Sequence, residues 1–256
     1  MSATTTVRLA TRGSELARRQ ATTVKSTLDS RRREVTLTEV DTRGDQIRDE
    51  LIHRLGKTGA FVRALDEDWG GAEQGDIVTA TEYVLGEYDW LDEDRIAVFG
   101  GSYGGYSAYW QLVQYPDLYD AGVAWIGLTD LVDQFENTMP HYRTELMEKY
   151  LGTPAENPDR YEERSPVTHA ENLAAPLLMV HGVNDRRVPV SQARLFREAL
   201  EGLGYEEGAT GDFEYRELGA EGHASSDQAQ KLRMFRLLDD FLQRRVGGAR
   251  VADADD

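Results

Sequence analysis

Arg95-Ile96-Ala97-Val98-Phe99-Gly100-Gly101-Ser102-Tyr103-Gly104-Gly105-Tyr106 reads as a buried strand running into a glycine-rich turn that opens a helix. The apolar run to Gly100 is the strand, residues 107–113 carry the body of the helix, and Pro116 stands beyond its end. A serine set among glycines at such a turn is the pattern of a nucleophile elbow. Glycine is needed there because the serine backbone is strained and a neighbouring side chain would strike the strand or the helix. A phosphate-cradling loop also joins strand to helix through glycines. This stretch, however, has neither the terminal Lys-Ser/Thr of a P-loop nor Gly-x-Gly-x-x-Gly spacing. Taken alone, it is either a structural glycine turn or the seat of an activated serine.

Working outward, residues from Trp69 onward alternate between helical and buried apolar periodicity. Residues 77–85 read as an amphipathic helix, 122–128 as a buried strand, and 131–150 as a polar helix. Residues 176–180 and 213–218 read as strands, with helices over 191–203 and 228–246. Buried strands separated by helices argue for a parallel sheet covered on both faces. Two further residues fall just past strands of this set. Asp185 lies in His181-Gly182-Val183-Asn184-Asp185-Arg186-Arg187-Val188-Pro189, and His223 in Gly222-His223-Ala224. The order Ser, Asp, His, each at a strand end, is that of the α/β-hydrolase fold, so an α/β class and a Ser102–Asp185–His223 triad are expected. Ser102 would attack a carbonyl carbon, His223 would carry the proton, and Asp185 would orient the imidazole. His181 reads as shaping the acid loop, while His53, His141 and His169 lack a ligand or carboxylate at useful spacing and read as non-catalytic.

Upstream, residues 7–10 read as a strand, 14–30 as a helix with Ser14 placed to cap it, and 34–40 as a second strand, together a βαβ unit. Residues 42–67 are polar and punctuated by glycines, with a helical stretch expected near 60–65. The tail 247–256 is small, polar and acidic, and disorder is expected there.

Composition narrows the chemistry. There is no cysteine, which excludes disulfides, thiolate catalysis and cysteine-based metal sites, so the nucleophile must be oxygen or nitrogen. No metal or cofactor is expected. A net charge of −17, from 46 acidic against 29 basic residues, repels nucleic-acid phosphates and anionic membranes, and neither is an expected partner. Lys25, Lys57, Lys149 and Lys231 are the only lysines. Acid spread over the whole chain, with arginine as the main base, is the composition of proteins that work at high salt. The start of the chain has no secretory pattern, no apolar run approaches the roughly 18 residues of a membrane span, and a cytoplasmic location is expected.

Beyond the triad, several stretches carry a family likeness. They are Trp69-Gly70-Gly71 before Asp76, the elbow through Tyr106, Ser165-Pro166-Val167 leading to Ala175-Pro176-Leu177-Leu178, the acid loop 181–189 with Gln192, and Gly222-His223. On these, residues from about Trp69 to Val246 resemble the catalytic domain of the prolyl oligopeptidase family. The resemblance implies a serine peptidase acting on short peptides or acyl-peptides, with Tyr103 supplying one backbone oxyanion donor. It also implies upstream strands, a tyrosine giving a second oxyanion donor, and a substrate-screening β-propeller. This chain shows none of the three, so impaired activity is expected.

Residues 7–66 resemble something else. Leu9-Ala10-Thr11-Arg12-Gly13-Ser14-Glu15-Leu16-Ala17, Gln20-Ala21, Thr42-Arg43-Gly44-Asp45 and Lys57-Thr58-Gly59-Ala60-Phe61-Val62 are similar to the N-terminus of hydroxymethylbilane synthase, the porphobilinogen deaminase of haem biosynthesis. In that family the residues matching Arg12 and Ser14 meet pyrrole carboxylates. Its His-Ser-x-Lys-Asp stretch and cofactor-tethering cysteine are absent here. The chain thus reads as a fusion joined near residues 63–68: an N-terminal fragment over 1–66, an α/β-hydrolase unit over 67–246, and the tail 247–256. A catalytically dead remnant and a pyrrole-polymerising transferase are the competing expectations.

Overall fold

A computed structural model describes residues 5–11, 22, 33–39, 65–223 and 227–247 of the chain. Its backbone divides into two compact units, 1–61 and 62–256. In the first unit, β1 (Thr5–Thr11) and β2 (Arg33–Glu39) pair in parallel, with Val7 opposite Val35 and Leu9 opposite Leu37. Parallel neighbours need a crossover connection, as the βαβ reading requires. The expected crossover helix over 14–30 lies outside the described residues except for Thr22, which is helical. The helix expected near 60–65 lies outside them except for Leu65, which is in a turn, and the tail beyond residue 247 also falls outside them.

The second unit opens with α1 (Ala72–Glu87) and continues through β3 (Ala97–Gly101), α2 (Tyr103–Gln114) and β4 (Ala121–Trp125). Next come α3 (Leu131–Asn137), a helical run α4 through 140–151 wound as π-helix over Arg143–Glu148, α5 (Pro158–Glu163) and a 3-10 stretch, Pro166–Asn172. The unit closes with β5 (Leu177–Gly182), α6 (Ser191–Leu203), β6 (Phe213–Leu218) and α7 (Gln228–Arg245). Strands β3-β4-β5-β6 form one sheet in that order, every pair parallel.

The apolar runs are continuous because both sheet faces are covered. Alternate residues of β5 divide between two cores: Leu177 and Met179 pack with Tyr109, Trp110 and Phe196 from α2 and α6, while Leu178 and Val180 pack with Met234, Leu238 and Phe241 of α7. By contrast β3 stands at the sheet edge among the described residues, and its Phe99 is 49% exposed. Among the described residues, no helix is long and apolar enough to cross a membrane.

Two expected elements end differently. The strand read over 122–128 stops at Trp125, because Ile126 takes φ 46° and Gly127 comes back against the backbone of Gly105. The single helix read over 131–150 breaks at 138–139, where Met139 is extended (ψ 140°) ahead of Pro140. A proline forces that conformation on the residue before it. The helix read from Ser107 begins four residues earlier, directly at the elbow.

Candidate active site

Ser102 sits between the last residue of β3 and the first of α2 with φ 60° and ψ −120°, one of few non-glycine residues at positive φ among those described. Its N–H donates to the Trp125 carbonyl at 2.9 Å, which pins the turn to the next strand. The glycines around it have separate tasks. A side chain at Gly100 would overlap the Gly104 carbonyl, and one at Gly105 would lie 2.7 Å from both Gly127 Cα and the Trp125 oxygen. Both are backbone contacts that cannot yield, so the elbow closes only with glycine. The first amides of α2, Tyr103 among them, have no acceptor within the helix and point beyond the strand end, where the helix dipole favours negative charge.

Asp185 and His223 come to the same edge of the sheet. Gly182 is opposite Leu218 in the β5–β6 register, and the loops after those strands are tied together by Asn184 N–H to the Glu221 carbonyl at 2.8 Å and Asn184 Nδ2 to the Ala220 carbonyl at 3.1 Å. A side chain on Gly182 would run into the Glu221 and Gly222 carbonyls at 2.6 and 2.7 Å, so glycine lets the two loops close on each other. The buried Asp185 carboxylate is fully engaged. Its Oδ1 accepts from the N–H groups of Arg187 (2.8 Å) and Val188 (3.0 Å), and Oδ2 lies 2.8 Å from His223 Nδ1. With Asp185 accepting at Nδ1, the other ring nitrogen of His223 is left as the basic one. Ser102 Oγ makes no hydrogen bond to His223 among the described residues; it meets the acid loop through a shared pocket lined also by Arg187 and Val188.

His181 lies under the acid loop. Its Nε2 donates to the Val188 carbonyl at 2.8 Å and stands 3.9 Å from Asp185 Oδ2, while Nδ1 is buried without a partner. Burial holds its pKa below the ordinary histidine value, so it stays neutral. His169 packs its ring on Trp110 and bonds the Glu163 carbonyl, and His141 lies against Tyr142. His53 is outside the described residues.

Some functional neighbours were not visible in the sequence. Glu73, in the first turn of α1 and 8% exposed, accepts from Gly70 N (2.6 Å), Gly71 N (3.1 Å), Gln74 Nε2 (3.1 Å) and the Tyr103 hydroxyl (2.9 Å). It thereby joins the Trp69-Gly70-Gly71 turn to the residue next to Ser102. Burial, then the nearby Tyr106 and Glu73, raise the Tyr103 phenol pKa, so it remains a proton donor to that carboxylate. The signal was an acid two residues after Gly-Gly, in the first turn of a helix. Beside Ser102 opens a pocket whose walls include Trp69, Leu128, Met147 and Val188, with Gln134 and Arg187 as polar members. Its far wall comes from α3 and α4, read from sequence as one polar helix. The break at Pro140 that turns Tyr142 and Met147 inward was the missed cue.

The prolyl oligopeptidase family matches residues 53–249. This chain belongs to it. Among curated relatives of the prolyl oligopeptidase type, dipeptidyl aminopeptidase BIII of Pseudoxanthomonas mexicana is 29% identical over 157 residues, 59% of this chain and 23% of that protein. Among solved structures, a puromycin hydrolase is 26% identical with a TM-score of 0.65, covering 75% of this chain and 28% of that one. Residues 7–78 match the dipyromethane cofactor binding domain of porphobilinogen deaminase. A probable porphobilinogen deaminase of Halobacterium salinarum is 63% identical over 62 residues there, 24% of this chain and 16% of that protein. The chain thus spans less than a quarter of the length of either curated relative. The two family matches overlap over 53–78.

Proposed function

We propose that this prolyl oligopeptidase-family chain is a serine hydrolase that cleaves short peptides or acyl-peptides after a large apolar residue, with Ser102, His223 and Asp185 as its triad. The observation that carries the reading is the Asp185–His223 hydrogen bond at the sheet edge where Ser102 is held in a strained elbow. In this reading Ser102 Oγ bonds to the substrate carbonyl carbon as His223 Nε2 takes the hydroxyl proton. The Nδ1–H bond to Asp185 fixes the tautomer and stabilises the imidazolium. The developing oxyanion faces the Tyr103 N–H at the start of α2. As the tetrahedral species collapses, the carbon–nitrogen bond breaks and His223 returns the proton to the leaving amine. Water then repeats the sequence on the acyl-enzyme. The pocket beside Ser102 receives the side chain that precedes the scissile bond, and its apolar walls favour a large apolar one.

Fluorophosphonate labelling tests this reading. Wild type should be labelled, Ser102→Ala should not, and His223→Ala should be labelled at least about a hundredfold more slowly, the lower end of what general-base assistance supplies. Labelling of Ser102→Ala at the wild-type rate would refute the assignment.

The likeness of residues 7–78 to porphobilinogen deaminase supports a second reading, a part in tetrapyrrole synthesis. These 256 residues contain no cysteine to tether a dipyrromethane group. Incubation with porphobilinogen should give no consumption beyond the buffer control.

A further inference from the structure

Three donors meet on one oxygen of Glu73: its Oε1 accepts from Gly70 N–H at 2.6 Å, from the Tyr103 hydroxyl at 2.9 Å and from Gln74 Nε2 at 3.1 Å. That single atom ties the peptide joining Trp69 to Gly70 to the ring of Tyr103, and Trp69 and Tyr103 are both walls of the pocket beside Ser102. The two rings meet edge to face, their centroids 5.3 Å apart and their planes at 82°. The carboxylate is also held from behind. Gln74 Nε2 donates to Ser107 Oγ at 3.1 Å, Gln74 Oε1 accepts from Gln111 Nε2 at 3.2 Å, and Gln111 Oε1 accepts from the Tyr119 hydroxyl at 2.9 Å. Gln74 and Gln111 are fully buried, and buried amides bonded at both ends form a rigid chain, so this one fixes where the carboxylate stands.

We infer that Glu73 is a positioning residue for substrate selection, holding Trp69 and Tyr103 at a fixed spacing so that the pocket grips a large apolar side chain ahead of the scissile bond. The inference rests on the hydrolase reading for the place of that pocket. Glu73 acts through Tyr103 and Trp69 and touches no substrate itself. A wall free to swing gives up the contacts that reward a large side chain, whereas a substrate with no side chain there makes no such contacts.

The test is the ratio of kcat/KM for the p-nitrophenyl esters of N-acetyl-L-phenylalanine and N-acetylglycine, measured on the full chain. Wild type should favour the phenylalanine ester by at least about tenfold, the lower end of what burying such a ring supplies. Tyr103→Phe removes only the hydroxyl that Glu73 holds, and it should cut the ratio by about tenfold, the lower end for a hydrogen bond to a charged group. Glu73→Met removes every acceptor at that position and should cut the ratio at least as far. Adding Tyr103→Phe to Glu73→Met should change the ratio by less than about twofold, because the link is already broken. A variant that merely loosens the fold lowers both esters alike and leaves the ratio where it was. A wild type without the preference, a ratio that survives either substitution, or effects of the two that multiply would overturn the inference. Tyr103→Phe, the loss of one hydroxyl, decides the matter even if Glu73→Met fails to fold. Fluorophosphonate labelling of wild type separates the two proposals: a labelled enzyme whose ratio the substitutions leave alone loses only the role of Glu73. An unlabelled one loses the hydrolase reading and that role together.

Discussion

Asp185 stands between two histidines of opposite character. His223, on one side, is hydrogen-bonded to it and partly buried; His181, on the other, is fully buried and turned to the Val188 carbonyl. Asp185 and Glu217 favour a charge on His181 and His223 opposes it, yet burial outweighs them and the folded pKa lies below the ordinary 6.5. The unfolded chain therefore binds a proton at this residue first as pH falls. Stability should decrease as pH drops through about 6.5 toward the folded value, by up to roughly 1.4 kcal/mol per pH unit. Replacing His181 with Gln, which keeps a donor for the Val188 carbonyl, should flatten that part of the profile in urea melts between pH 7 and 5. Identical pH slopes for the two proteins would exclude His181 as the source. At this scale legibility depended on how local the cause was. Ser102 and Asp185 stand in stretches whose glycines, Gly100, Gly105 and Gly182, let backbone pass close by, and that requirement is written near each of them; His223 was read from its place just past a strand. Glu73 and Gln134 owe their places to partners 30 and 53 residues away, Tyr103 and Arg187, which no local pattern encodes.

Among elements, the strand–elbow–helix segment is the most tightly specified. Strand β4 and its following turn approach α2 so closely that Gly105 and Gly127 touch backbone to backbone. Gly105→Ala should thus force α2 away from the sheet, costing roughly 1–3 kcal/mol as overpacking does, and should slow fluorophosphonate labelling because the elbow is carried by the same helix. Chemical denaturation gives the first number, and a stability within 0.5 kcal/mol of wild type would show that the turn relaxes freely. The same close approach explains why β4 ends at Trp125 although apolar residues run on to Leu128: the chain needs Ile126 at φ 46° to bring Gly127 under Gly105, which ends the ladder. Helix α6 lies where its spacing put it, Ser191–Leu203, because Gly204 in the left-handed region stops it. The α3–α4 region was misread because period alone does not separate one long helix from two that share a phase. Only Pro140 and the extended Met139 distinguish them.

For the whole molecule the governing quantity is charge. A net −17 is legible from composition alone, whereas the positions that feel it are set by the fold. Acidic residues crowd exposed turns, as at Asp92, Glu93 and Asp94 ahead of β3, where the ion pair of Arg95 among the described residues is with Asp92, at 3.7 Å. An exposed pair of that length contributes little, so most of the surplus acid is opposed only by solvent and salt. Compacting such a chain raises its self-repulsion, and counter-ions relieve it. Screening has a characteristic shape: the Debye length falls from about 10 Å at 0.1 M to about 3 Å at 1 M, so most relief comes within the first few tenths molar. General exclusion of salt from apolar surface would instead grow steadily with concentration. The melting temperature should accordingly rise by about 2–8 °C between low and molar potassium chloride, the equivalent of ~1–2 kcal/mol for a unit of this size, and the rise should bend over rather than run straight. Glu93→Gln with Asp94→Asn removes two unpaired charges from one turn and should shrink the low-salt part of the increment. A flat or falling melting curve, or an increment unchanged by those two substitutions, would mean that the acidity of this chain serves solubility and not the stability of its fold.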